Sequence, residues 1–249
     1  DFSLGVAARL GELLGGYHAH AGARARGAEA ESVFPRGVPW ILDVVRHNPG
    51  HVGPVGPAAR EYLDIVTAQP ALAAALDAAR DGWRRDALVH GDMKWENVLV
   101  LPAAEGGGPE LRIVDWELGD FGDACWDVGS LFQSYLSCWV LSIADPHAGA
   151  AALPGQARFP LERMQPAMAA FWESYVRTRG ADPREAAELL RRSMAYAAAR
   201  MLQTAWEHAV AAPALAPNVL HLLQVGMNVL TRPDDAVVHL LGFEQRRAA

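Results

Sequence analysis

The stretch from His90 to Val100, HGDMKWENVLV, holds Lys94, the one lysine of the chain, while arginine carries the rest of the basic charge. A sequence that uses lysine once, and uses it here, needs an ammonium at this place. Asp92 stands two residues before it and Asn97 three after. The apolar segments on either side, ALVH and VLV, are short and rich in valine, and read as strands. The polar residues therefore fall in a loop between two strands. A third segment of the same kind, LRIVDW, ends near Asp115. It follows LPAAEGGGPE, whose three consecutive glycines predict a hairpin with an expendable tip.

Outward from this core the pattern turns helical. The opening segment places Leu4, Ala7, Leu10, Leu14 and Tyr17 on one helical face. Residues 21–56 are irregular, and GHVGPVG at 50–56 reads as a linker, because it lacks the lysine ending of a phosphate loop and contains Pro54. Pro57 and Pro70 suit first helical turns, which predicts helices over 57–68 and 70–84. After the strands, WDVGSLFQSYLSCWVLSI forms one helix. A second, within LERMQPAMAAFWESYVRTRG, is expected to start at Pro166 and stop at Gly180. Asp182 as N-cap and Pro183 in the first turn open a third, with Ala186, Leu189, Leu190, Ala197, Met201 and Ala205 on one face. Shorter helices follow near 216–230 and 233–242. The fold class is α+β, mostly α: a helical lobe with a small β-hairpin set into it. It is one unit over 1–249, with a catalytic segment at 87–130 and a helical remainder at 131–249.

Composition narrows the function. The chain is 51% hydrophobic, enough for a real core, and its net charge of −7 disfavours a general nucleic-acid binder. No apolar run reaches the roughly 18–20 residues that cross a bilayer, so no membrane partner is expected. Two cysteines, Cys125 and Cys138, make neither a disulfide framework nor a zinc site, which leaves the cytoplasm as the expected compartment. His18 and His20, two apart on a helix, face different ways and do not form a metal pair. Trp126, Trp139, Trp172 and Trp206 read as packing residues. Glu117, Asp120 and Asp123 read either as a solvated loop or as an acidic rim that attracts a cationic substrate.

The loop residues suit phosphoryl transfer. One carboxylate, Asp92, would accept or orient the proton of an attacking hydroxyl. A neutral oxygen from Asn97 and a second carboxylate from Asp115 are the hard ligands Mg²⁺ prefers. Lys94 would neutralise charge on the transferring group. A metal-dependent phosphoesterase would need further His and Asp ligands, and none stand in motif positions.

HGDMKWEN followed by IVDWE resembles the catalytic and metal-binding segments of the aminoglycoside phosphotransferase and choline kinase-like family, kin to protein kinases. GDACWDVGS is similar to a further segment of that family, and the first helix, ending LGGYH, resembles the one that opens its C-terminal lobe. The resemblance implies a protein-kinase-like C-terminal lobe using ATP and Mg²⁺. Asp92 would be the catalytic base, with Asn97 and Asp115 as ligands of the metal and its nucleotide. His90 would brace the loop, and Asp127 would hydrogen-bond its backbone. Lys94 is closer to the protein-kinase loop, Trp95 replaces a common proline, and the interval from Asn97 to Asp115 is lengthened.

Nothing before residue 90 resembles the family's N-terminal lobe, and with Lys94 placed no lysine is left for the nucleotide's α- and β-phosphates. The chain opens on Asp1 rather than methionine. The N-terminal lobe is therefore expected from the same gene or from a partner chain. The resemblance implies a small-molecule acceptor hydroxyl, on an amino sugar or amino alcohol. The alternatives are Ser or Thr of a precursor peptide, since the run also resembles kinase-like proteins of bacterial peptide-natural-product pathways, and a non-catalytic pseudokinase scaffold.

Overall fold

A computed structural model describes residues 3–24, 34, 37–46, 55–101, 109–145, 147 and 153–243. The glycine-rich segment 102–108 and most of the 50–56 linker lie outside the described residues. The helices are α1 (Leu4–Arg24), α2 (Pro57–Thr67), α3 (Pro70–Asp81), α4 (Ala124–Leu141), α5 (Leu161–Arg179), α6 (Pro183–Ala209), α7 (Pro217–Thr231) and α8 (Pro233–His239). The strands are β1 (Ala87–Val89), β2 (Val98–Leu101), β3 (Glu110–Ile113) and β4 (Asp120–Gly122). The architecture is mostly helical, with two small antiparallel ribbons.

β2 and β3 form the expected hairpin, with Val98 opposite Ile113 and Leu101 opposite Glu110. β4 was not anticipated. It pairs with β1, Ala87 opposite Gly122, and so clasps the start of the site loop from the other side.

One buried cluster runs from Ala7 in α1 to Leu241 beyond α8 and takes in α2 to α7. α1 lies along α5, and Gly11 shows how closely: a Cβ there would meet the Phe171 carbonyl oxygen at 2.2 Å. Any side chain at residue 11 would push the helices apart. Ala7, Leu10 and Leu14 are fully buried on this face, whereas Leu4, at the first turn, is 52% exposed. Trp126, Trp172 and Trp206 are buried in the core.

α5 corrects one sequence boundary. It starts at Leu161, five residues before Pro166, and Pro166 lies inside it. Leu161, Met164, Ala167 and Met168 are buried, while Pro166 is exposed. The apolar face thus holds the first turn in place, and water can serve the carbonyl that the proline leaves without a donor. Gly180, in the left-handed conformation (φ 76°), ends the helix as expected. Asp182 caps α6 by accepting from the Arg184 and Glu185 N–H groups. α3 ends at Asp81, short of the expected 84. Among the described residues no helix is long and apolar enough to cross a membrane.

Candidate active site

β1 ends at Val89, and the chain turns through Gly91 with φ +83°. A Cβ on Gly91 would sit 2.3 Å from the Leu118 carbonyl oxygen, so both the backbone angle and the space demand glycine. The Trp126 indole N–H donates to the Gly91 carbonyl (2.8 Å) and fixes the turn from the side of α4.

This turn presents Asp92, whose side chain keeps 17% of its surface exposed. Lys94 Nζ donates to Oδ2, and Arg200 of α6 donates to Oδ1 at 2.8 Å. Burial pushes the Asp92 carboxyl pKa up, but the two cations outweigh it and hold the group below its ordinary range. Asp92 is therefore an ionised acceptor clamped between cations, a weak base but a well-oriented one.

The Asn97 side-chain nitrogen donates to the Asp92 carbonyl (2.8 Å), which commits the amide nitrogen and leaves Oδ1 to meet a cation. Asn97 is buried at the end of a short 3-10 turn (Trp95–Asn97) just before β2, and its own carbonyl accepts from Val114 N–H (3.0 Å). The hairpin thus brings Asn97 to the end from which Asp115 emerges. Asp115 is exposed and adopts the left-handed conformation (φ 68°, ψ 55°), the one described non-glycine residue with positive φ. Such a backbone costs about 1 kcal/mol or more and is typical of functional positions. Among the described residues no group of three or more His, Cys, Asp or Glu is placed to hold an ion. The amide oxygen and the carboxylate do fit Mg²⁺, which commonly takes one or two protein oxygens and completes its shell with phosphate oxygens and water.

His90 is fully buried and links the two halves of the site. Its Nε2 lies 2.8 Å from the Val114 carbonyl and so donates; its Nδ1 lies 3.3 Å from the Asp92 N–H and so accepts. Asp127 is also fully buried, in the first turn of α4. It accepts from His90 N–H (2.7 Å), Gly91 N–H (3.0 Å) and His18 Nε2 (3.1 Å). The other nitrogen of His18 meets the Tyr175 hydroxyl at 3.0 Å. The site loop is thereby tied to α1, α4 and α5. His18 faces the interior, while His20 is exposed and bonds the Gly16 carbonyl (2.8 Å).

The acidic triplet divides. Glu117 is exposed. Asp120 accepts from Gly37 N–H (2.9 Å) and Phe121 N–H (2.7 Å). Asp123 corrects the sequence reading: it is neither solvated nor part of a rim. It is buried, caps α4 through Cys125 N–H, and pairs with Arg192 and the Tyr196 hydroxyl. Burial pushes the Cys125 thiol up to about 12, which rules it out as a nucleophile.

Arg200 and Tyr175 escaped the sequence reading, which took His18 only as no part of a metal pair. Arg200 is 5% exposed and stands in an otherwise apolar buried run, Ala197, Ala198, Ala199, Met201, Leu202. A lone arginine inside such a run was the available signal. His18 continues the buried row of Leu10 and Leu14 at four-residue spacing.

Compared with protein-family models, residues 3–170 match APH, the phosphotransferase enzyme family. No curated protein matches the chain.

Proposed function

The chain belongs to the phosphotransferase enzyme family, and from that premise we propose that it transfers the γ-phosphoryl group of ATP, with Mg²⁺, to a hydroxyl of a small molecule or a peptide. The observation that carries this reading is Asp92, an ionised carboxylate held by Lys94 and Arg200 beside Asn97.

In phosphoryl transfer the transition state is loose, and the protein contributes mainly position and charge. Asp92 orients the acceptor hydroxyl and takes its proton as the new bond forms. Its depressed pKa suits a late transfer of that proton. Lys94 exchanges its contact with Asp92 for the transferring group and offsets the charge there. Asn97 and Asp115 would hold Mg²⁺, which when bound neutralises phosphate charge. His90 and Asp127 keep Asp92 and the end of β3 in fixed relation. The chain's one lysine is engaged with Asp92. The proposal assigns the cation for the α- and β-phosphates to an N-terminal lobe, encoded with this chain or supplied by a partner.

The test is ATP turnover by the protein together with that lobe, wild type beside Asp92→Asn. The reading expects loss of turnover at an unchanged melting temperature. Equal turnover would remove Asp92 from its role, and no turnover in either form would favour a scaffold.

A further inference from the structure

Trp116 follows Asp115 directly and keeps 40% of its surface exposed, yet it is held on three sides. Its ring lies 4.7 Å from the His90 imidazole and meets the Tyr17 ring edge-on at 5.0 Å. Its indole N–H donates to the Ile113 carbonyl (2.9 Å). A side chain this open to solvent can give its N–H to water. Here the N–H turns back to the chain instead, and the bond spans Asp115: it ties the residue after it to the strand end before it.

Asp115 is the joint between β3, which ends at Ile113, and a single 3-10 turn, Trp116–Leu118, closed by Gly119 N–H on the Trp116 carbonyl (2.9 Å). Its left-handed backbone (φ 68°, ψ 55°) is unfavourable for any residue with a Cβ, and its own side chain makes no capping hydrogen bond to offset that. The hold comes from the neighbours. Val114 N–H donates to the Asn97 carbonyl, the Val114 carbonyl accepts from His90 Nε2, and the Ile113 carbonyl accepts from Trp116. Of these three bonds, only the indole's reaches across the joint. An extended Asp115 would carry Trp116 away from Ile113 and break it. Packing alone does not call for tryptophan, because a phenylalanine ring could also meet His90 and Tyr17. The N–H is what tryptophan adds.

We propose that Trp116 is a positioning residue for the metal site: its indole N–H closes the turn around Asp115 and keeps that carboxylate at the Asn97 end of the hairpin, set for Mg²⁺. This rests on the phosphotransferase reading, which gives the metal to Asn97 and Asp115, and adds a residue that acts through Asp115. With the turn closed, the strained angle is met when the chain folds, and the cation does not have to impose it on binding. Without the N–H, Asp115 relaxes, and each binding event must restore the turn.

The test puts 3-benzothienylalanine in place of Trp116, which keeps a bicyclic ring and sets sulfur where the N–H stood, beside Trp116→Phe. Three quantities are read on the full chain: calorimetric affinity for Mg-ATP, amide hydrogen exchange at Val114, and melting temperature. Both replacements are expected to weaken Mg-ATP binding about fivefold, the loss of one hydrogen bond, and to speed Val114 exchange by a similar factor. The melting temperature should stay close to wild type, because breaking the bond also releases the strained angle. Mg-ATP bound equally well by the benzothienyl protein would overturn this inference and leave the phosphotransferase reading standing. A weakened affinity matched by a fall in melting temperature would overturn it too, since that marks a residue that only supports the fold. A folded wild type that binds no Mg-ATP would remove the phosphotransferase reading. Unchanged Val114 exchange needs no nucleotide to be seen and would overturn the inference in either case.

Discussion

Asp92 and Asp127 are both carboxylates on the same loop assembly, and their surroundings give them opposite uses. Asp127 is fully buried, and its oxygens are consumed by two backbone N–H groups and His18. Asp92 keeps 17% of its side-chain surface exposed and is held by the buried Arg200 and by Lys94, whose side chain reaches solvent and can exchange partners when a substrate arrives. A carboxylate saturated by fixed donors builds structure. One held between two cations, with part of its surface open to solvent, remains available for chemistry. Asp123, filled by Cys125 N–H, Arg84 N–H, Arg192 and Tyr196, belongs with Asp127.

Substitutions can break or sharpen this contrast. The largest effect is expected from Asp92→Asn, with phosphoryl transfer falling about a thousandfold or more and the melting temperature close to wild type. Paired turnover and thermal-unfolding measurements would show the split. Asp127→Ala should do the reverse. It leaves three buried donors without an acceptor, and denaturant unfolding should show a loss of about 3 kcal/mol. Arg200→Met should lower turnover roughly tenfold to a hundredfold by releasing one side of Asp92. It should leave stability near wild type, since the replacement brings no charge into the core. The smallest effect is expected from Tyr175→Phe. It removes only the hydroxyl that meets His18, and unfolding should register about 1 kcal/mol. If Asp92→Asn proved strongly destabilising, or Asp127→Ala were stable and inactive, the contrast would be inverted.

The two sides of the contrast were not equally legible in the sequence. Asp92, Lys94 and Asn97 lie within six residues, and the hairpin that brings Asp115 alongside is itself local, so spacing and strand pattern were enough to assemble them. Arg200 reaches Asp92 across 108 positions and His18 reaches Asp127 across 109. No local pattern encodes such a contact. It arises from the packing of α6 and α1 around the loop. The helices were readable where caps act locally, as at Asp182 and Gly180. The reading failed at Pro166, where apolar burial outweighed a proline that normally marks a first turn. β4 was invisible because three residues hold their strand form only through β1. Asp123 was misread for a related reason: its cap is local, but its burial comes from α6.

The central claim is that the Asn97–Asp115 end of the hairpin, beside Asp92, is a working nucleotide-metal site. Its most direct test is calorimetric titration of Mg-ATP into the protein, wild type beside Asp115→Asn. The predicted result is saturable binding by the wild type, weakened tenfold or more in a variant with unchanged melting temperature. Equal affinity in both, or no binding by a folded wild type, would contradict it.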